Sequence, residues 1–180
     1  MIWFLLFCIS FSLFWVYNIV TWIYFGIPYS LSGTYYMLNN KREGNGVWFS
    51  IYMITSFLLL MPAWMALSGM INSLGSYLMI LPFITCGCMC FVGIAPNIRT
   101  SERIEKIHTI SAFVGAVTAI LWVCIVCWKI MYIFPICVLV CGGIAHLTKT
   151  AKTCRDYWLE MSAFSTVFIT ILVEFILLVL

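Results

Sequence analysis

An all-α membrane bundle of six spanning helices, with both termini outside the cytoplasm, is the fold this sequence predicts. Three observations carry that expectation. Hydrophobic residues fill 64% of the 180 positions and charged residues only 8%, against about 45–50% and about 25% in soluble domains. The apolar residues fall into six runs, each long enough to cross a hydrocarbon core of about 30 Å with its backbone groups paired inside a helix. The basic residues gather in alternate connections. The six runs use most of the chain, so one membrane domain is expected over residues 1–180.

The first run, 2–25, has no Lys or Arg at its start and no small-x-small site after it. It is too long and aromatic for a signal peptide and is expected to be a retained helix. The loop after it holds Gly26, Pro28, Asn39, Asn40, Gly44 and Gly46, all turn or breaker residues. Within it, Ser30 to Leu38 predicts a short interfacial helix with Ser30 as N-cap. The second span is expected at 47–69 and the third at 75–95, joined by a tight connection at Asn72, Ser73 and Gly75. Pro62, Pro82 and Pro135 fall in or at the ends of spans, and Pro82 with Gly87 and Gly93 makes the third span the expected bent element. In the third loop, Pro96 to Lys106, Ser101 is placed to cap the next helix, and Glu102 and Lys106 stand four apart as a helical ion pair. The last three spans are expected at 107–128, 131–148 and 158–180.

Orientation follows from charge. Loops one, three and five carry Lys41, Arg42, Arg99, Arg103, Lys106, Lys149, Lys152 and Arg155, eight of the nine basic residues. The remaining connections and the termini carry only Lys129. The positive-inside rule puts the odd loops in the cytoplasm of a bacterial-type inner membrane. Trp22, Tyr24, Trp48, Tyr157 and Trp158 then fall near the inner interface, and Trp3, Tyr77, Trp128 and Tyr132 near the outer one. The net charge of +3 is scattered, with no basic stripe and no Gly-aromatic motif, so nucleic acid is not an expected partner. The expected partner is the bilayer itself; oligomeric state is not readable.

Few polar residues are placed to carry chemistry. His108 and His146 are the only histidines, both near the cytoplasmic ends of their spans. His108 shares a helix face with Ser111, Ala112, Gly115 and Ala116, and small residues mark faces that meet other helices. The functional reading is a paired ligand site at the cytoplasmic side, with Glu105, Asp156 or Glu160 nearby. The alternative is two interfacial histidines bonded to backbone or headgroups. Glu174 lies deep in the last span, where an ionisable residue is a functional candidate, and Lys129 is its expected partner. Nine cysteines are present. Cys86, Cys88 and Cys90 lack zinc spacing, because Cys88 points away from the face shared by the other two. Cys124 and Cys127 match C-x-x-C, but the outer loops hold no second cysteine pair to pass oxidising equivalents onward. There is no Gly-rich phosphate loop, no H-E-x-x-H and no G-x-S-x-G. No metal site is expected and no cofactor is assigned. The first reading is a protein that binds a lipid or small amphiphile at a cytoplasm-side polar site. The alternatives are a membrane oxidoreductase, using haem on His108 and His146 or the thiols of Cys124 and Cys127, and a small transporter or channel.

Two stretches carry a resemblance. Ser30-Leu-Ser-Gly-Thr-Tyr-Tyr36 after a first helix resembles a pattern in small bacterial and phage membrane proteins. Phe91-Val-Gly-Ile-Ala-Pro96, followed by His108 and the small face of the fourth helix, resembles the DRAM/Frag-type six-helix proteins. The resemblance implies six helices and a polar cytoplasm-side position at His108, and no assigned reaction.

Overall fold

The computed structural model describes residues 1–95 and 101–179. Among them there are eight α-helices, one 3-10 turn and no strand: α1 (Ile2–Phe25), α2 (Thr34–Lys41), α3 (Val47–Ile71), α4 (Ser73–Tyr77), α5 (Ile80–Ile94), α6 (Glu102–Ile125), the turn Trp128–Ile130, α7 (Ile133–Leu147) and α8 (Arg155–Val179). Pro96 and Arg99 of the third loop lie outside the described residues. Five segments are long and apolar enough to cross a membrane: Ile2–Phe25, Val47–Ile71, Glu102–Ile125, Trp128–Leu147 and Arg155–Leu178.

The third expected span differs from a single long helix. A turn at Leu78 and Met79 separates α4 from α5, and the 15 residues of α5 reach only about 22 Å at the α-helical rise. Pro82 explains the break. It is the third residue of α5, and in an unbroken helix its ring would strike the Leu78 carbonyl while offering it no N–H. The Leu78 carbonyl instead accepts from Leu81 N at 3.0 Å. Pro135 repeats the arrangement as the third residue of α7, with Phe134 N donating to Met131 O at 3.2 Å. Pro62 stays inside α3.

α5 packs between α3 and α6, α1 lies on α3, and α8 touches α3, α6 and α7. Aromatic rings set the register of α1 against α8. Phe4 meets Phe175 at 5.5 Å between centroids, Phe11 meets Phe168 at 5.8 Å, Phe14 meets Phe164 at 5.3 Å, and Trp22 meets Tyr157 at 6.2 Å. Partner numbers fall as α1 numbers rise, so the two helices run antiparallel. Ring pairs of this kind contribute about 0.5–1.5 kcal/mol each beyond burial. Such packing is what holds helices together wherever lipid tails remove the hydrophobic drive between them.

Loop one, α2 and the starts of α6 and α8 lie at one end, here the basic end; α4 and the turn Trp128–Ile130 lie at the far end. Ser101 Oγ accepts from Ile104 N at 3.2 Å as the cap of α6, and Glu102 meets Lys106 at 2.6 Å. Loop one departs from the interfacial helix expected at 30–38. Ser30 Oγ does cap a turn, accepting from Gly33 N at 3.0 Å, but the helix itself is Thr34–Lys41. Residues Ser30 to Thr34 are buried instead of lying on the surface, because α8 and α1 supply partners: Tyr157 N donates to Tyr29 O at 3.0 Å, and Tyr17 and Thr34 share a 2.6 Å hydroxyl bond. Tyr157 and Trp158 are buried for the same reason, whereas Tyr24 and Trp48 are exposed.

Candidate functional site: an apolar cavity closed by loop one

A cavity of about 100 Å³ runs between α3, α5, α6 and α8, several times the ~10–15 Å³ that one water requires. Its α6 wall carries His108, Ala112, Gly115, Ala116 and Ala119. From His108 to Ala119 the wall rises about 16 Å. The small side chains are what leave the space open: α6 presents a shallow face, while Phe57, Phe164 and Phe168 form the opposing walls. At the basic end loop one plugs the cavity with Leu31 and Ser32.

Polar groups cluster at that end. Glu160, five residues past the start of α8, lines the cavity, and one oxygen of its carboxyl accepts from Leu31 N. His108 Nδ1 lies 2.9 Å from the Ala95 carbonyl. A carbonyl only accepts, so Nδ1 carries the hydrogen of that bond. At the basic end a carboxyl, an imidazole and the Ser32 hydroxyl therefore line the cavity. Farther along, Thr85 and Thr118 share a 2.8 Å hydroxyl bond. Trp64 is fully buried against the cavity, and its indole N–H has no acceptor among the described residues. The cavity thus has polar groups at one end, an apolar shaft and a buried indole N–H farther along.

The structure brings together some of the residues singled out from sequence and separates others. His108 is buried and lines the cavity. His146 is exposed on α7, beside Ala145, the buried residue of that turn, and is not among the cavity's walls. Glu105 is exposed on α6, and Asp156 is exposed and meets Arg155 at 3.2 Å. Glu160 is thus the acidic residue that lines the cavity with His108. Glu174 is buried at the far end of α8. Cys124 is exposed and Cys127 buried, so the two thiols occupy different surroundings. Among the described residues no group of three or more His, Cys, Asp or Glu side chains converges as a metal site.

No protein-family model, curated protein or solved structure matches this chain. The site must be read from its own geometry. Sequence reasoning undervalued Glu160 and missed the network beneath it, in which Trp22 Nε1 donates to Tyr157 Oη at 2.6 Å and Tyr157 Oη donates to Asn18 Oδ1 at 3.2 Å. One pattern could have found it. Glu160, Ala163, Phe164, Val167, Phe168 and Glu174 recur at helical spacing, which puts Glu160 and Glu174 on one stripe of α8.

Proposed function

We propose that this chain is a six-span membrane protein that holds a lipid or small amphiphile in the inter-helix cavity. Its head donates hydrogen bonds to Glu160 and His108, and its tail follows the small face of α6. The observation that carries the reading is the junction of a carboxyl and an imidazole with an otherwise apolar slot. Ligand pockets are mostly apolar with a few convergent polar groups that fix orientation, and this slot has that division along its length. The buried Trp64 N–H adds a donor for an acceptor farther down the ligand.

The direct test is organic extraction of the detergent-purified protein followed by mass spectrometry. A single amphiphile is expected near stoichiometry. Ala116→Phe, which fills the slot, is expected to lower its recovery at least tenfold. Phe113→Ala, on the exposed face of α6, is expected to leave it unchanged. Recovery that follows bulk membrane composition in all three proteins would sink the proposal.

The six crossings are counted from the five long apolar segments plus α5, which packs between two of them. The basic asymmetry supports a cytoplasmic basic end in a bacterial-type inner membrane, with both termini on the other side. In a cysteine-free background, Asn40→Cys, Ser101→Cys and Ala151→Cys are expected to be shielded from an impermeant thiol reagent in intact cells, and Ser73→Cys to react. The opposite pattern would reverse the orientation, and a mixed one would change the number of crossings.

A further inference from the structure

At the far end a second pocket, of about 440 Å³, opens between α8, the end of α3 and the turn Trp128–Ile130. Two opposite charges line it: Glu174 on α8 and Lys129 on the turn. Glu174 is 8% exposed, with Ile71, Leu177 and Leu178 among the apolar walls. The Cys127 thiol lies against its carboxyl, and Lys129 is near enough to act on it electrostatically. A thiol is a weak donor, and a carboxylate has about four acceptor sites to fill. Among the described residues, however, no ion pair within 4.0 Å joins Glu174 to Lys129. Asn72, also in the wall, is already committed: its Oδ1 accepts from Gly75 N at 2.6 Å and its Nδ2 donates to Val126 O at 3.2 Å.

We propose that this pocket is a zwitterion site, in which Glu174 takes an ammonium and Lys129 takes the anionic group of the same molecule. A buried carboxylate away from water is costly unless a cation compensates it, and the lysine stops short of doing so by contact. A ligand bearing both charges fills the gap between them and neutralises each. A primary amine fits better than a quaternary one, because its N–H groups supply the donors that Glu174 lacks. The chemistry required is that of an aminoethyl phosphate, which reaches this end either as a lipid headgroup or as a free solute.

The test uses the full-length protein in phosphatidylcholine nanodiscs, whose headgroup has no N–H donor. Phosphatidylethanolamine in the disc and water-soluble glycerophosphoethanolamine are titrated separately, and occupancy is read by native mass spectrometry with the thermal midpoint beside it. Saturable binding of either probe is expected, together with a rise in midpoint. Response to the lipid alone identifies the bilayer as the source; response to the soluble probe identifies a free solute. Glu174→Gln and Lys129→Met are each expected to weaken binding at least tenfold. Lys129 is exposed, so its variant keeps the test open even where Glu174→Gln does not fold. No saturable binding of either probe by the parent protein, or undiminished binding in Lys129→Met, overturns the proposal.

Discussion

Gly75→Ala is expected to destabilise the protein by about 3 kcal/mol or more, in the upper tail of single substitutions. Gly75 sits in α4, directly beneath the end of α3. A Cβ there would press into the Ser68 carbonyl oxygen, and would lie 3.0 Å from the Ser68 carbonyl carbon and 3.2 Å from Val126 Cγ1. The obstacle is backbone, so no side-chain rotation relieves it. Either α4 must move off α3, or the Asn72 bridge to Val126 must break. Both outcomes disturb the same corner, where Trp122 Nε1 donates to Ser68 Oγ at 2.7 Å and Trp122 stands edge-on to Trp64 at 5.1 Å. Gly87→Ala is the internal comparison. Nothing lies within 4 Å of a Cβ at Gly87, and Gly inside a helix is about 0.5–1 kcal/mol worse than Ala. That substitution is expected to be neutral or mildly stabilising. Thermal unfolding in detergent separates the two, and equal midpoints would mean that α4 does not dock under Ser68.

Glu160→Ala is expected to cost about 1–3 kcal/mol, the range for leaving a buried donor unsatisfied, and to release loop one. The Leu31 N–H would be left buried with no acceptor, since Leu31 is 3% exposed. Other hydrogen bonds that tie loop one to its neighbours are the Tyr29–Tyr157 backbone bond, the Tyr17–Thr34 hydroxyl pair and a Cys154 thiol contact to Ile27 O at 3.5 Å. These hold the flanks of Leu31 and Ser32. Glu160→Gln keeps a carbonyl acceptor and is expected to lose at most about half as much. Hydrogen exchange localises the effect: protection at Leu31 to Thr34 should fall steeply in the Ala variant and little in the Gln variant. Protection lost evenly over the whole bundle would show that Glu160 supports α8 and does not latch the loop.

Both substitutions sit at places where local chemistry was partly legible. The sequence marks Asn72, Ser73 and Gly75 as a tight connection, and Asn72 does cap α4. Ser101 and the Glu102–Lys106 pair are likewise local, three and four residues apart, and the structure holds them as spacing predicts. The third span was legible in part: Pro82 marks it as the bent element and the structure breaks it there, while its hydropathy reads as one run because apolar character says nothing of a missing N–H. Loop one was misplaced at its N-terminal end because its partners, Glu160 and Tyr157, stand about 130 positions away in the chain.

What the sequence by itself determined is the class of fold: all-helical, built of apolar segments whose length matches a bilayer. That property is one-dimensional, since a run either is or is not long enough to pair its own backbone across hydrocarbon. Which polar residues meet was decided only by tertiary packing. A soluble helix advertises its buried face by leaving the other one polar. These helices are apolar on most sides, so apolar periodicity does not tell inside from outside, and only the stripe of Glu160 and Glu174 on α8 marks a face. That is why His108 and His146 look equivalent in the sequence, yet one lines the cavity and the other lies exposed on α7. It is also why Glu160 gains its place only once α8 has turned its acidic stripe toward α3 and α6.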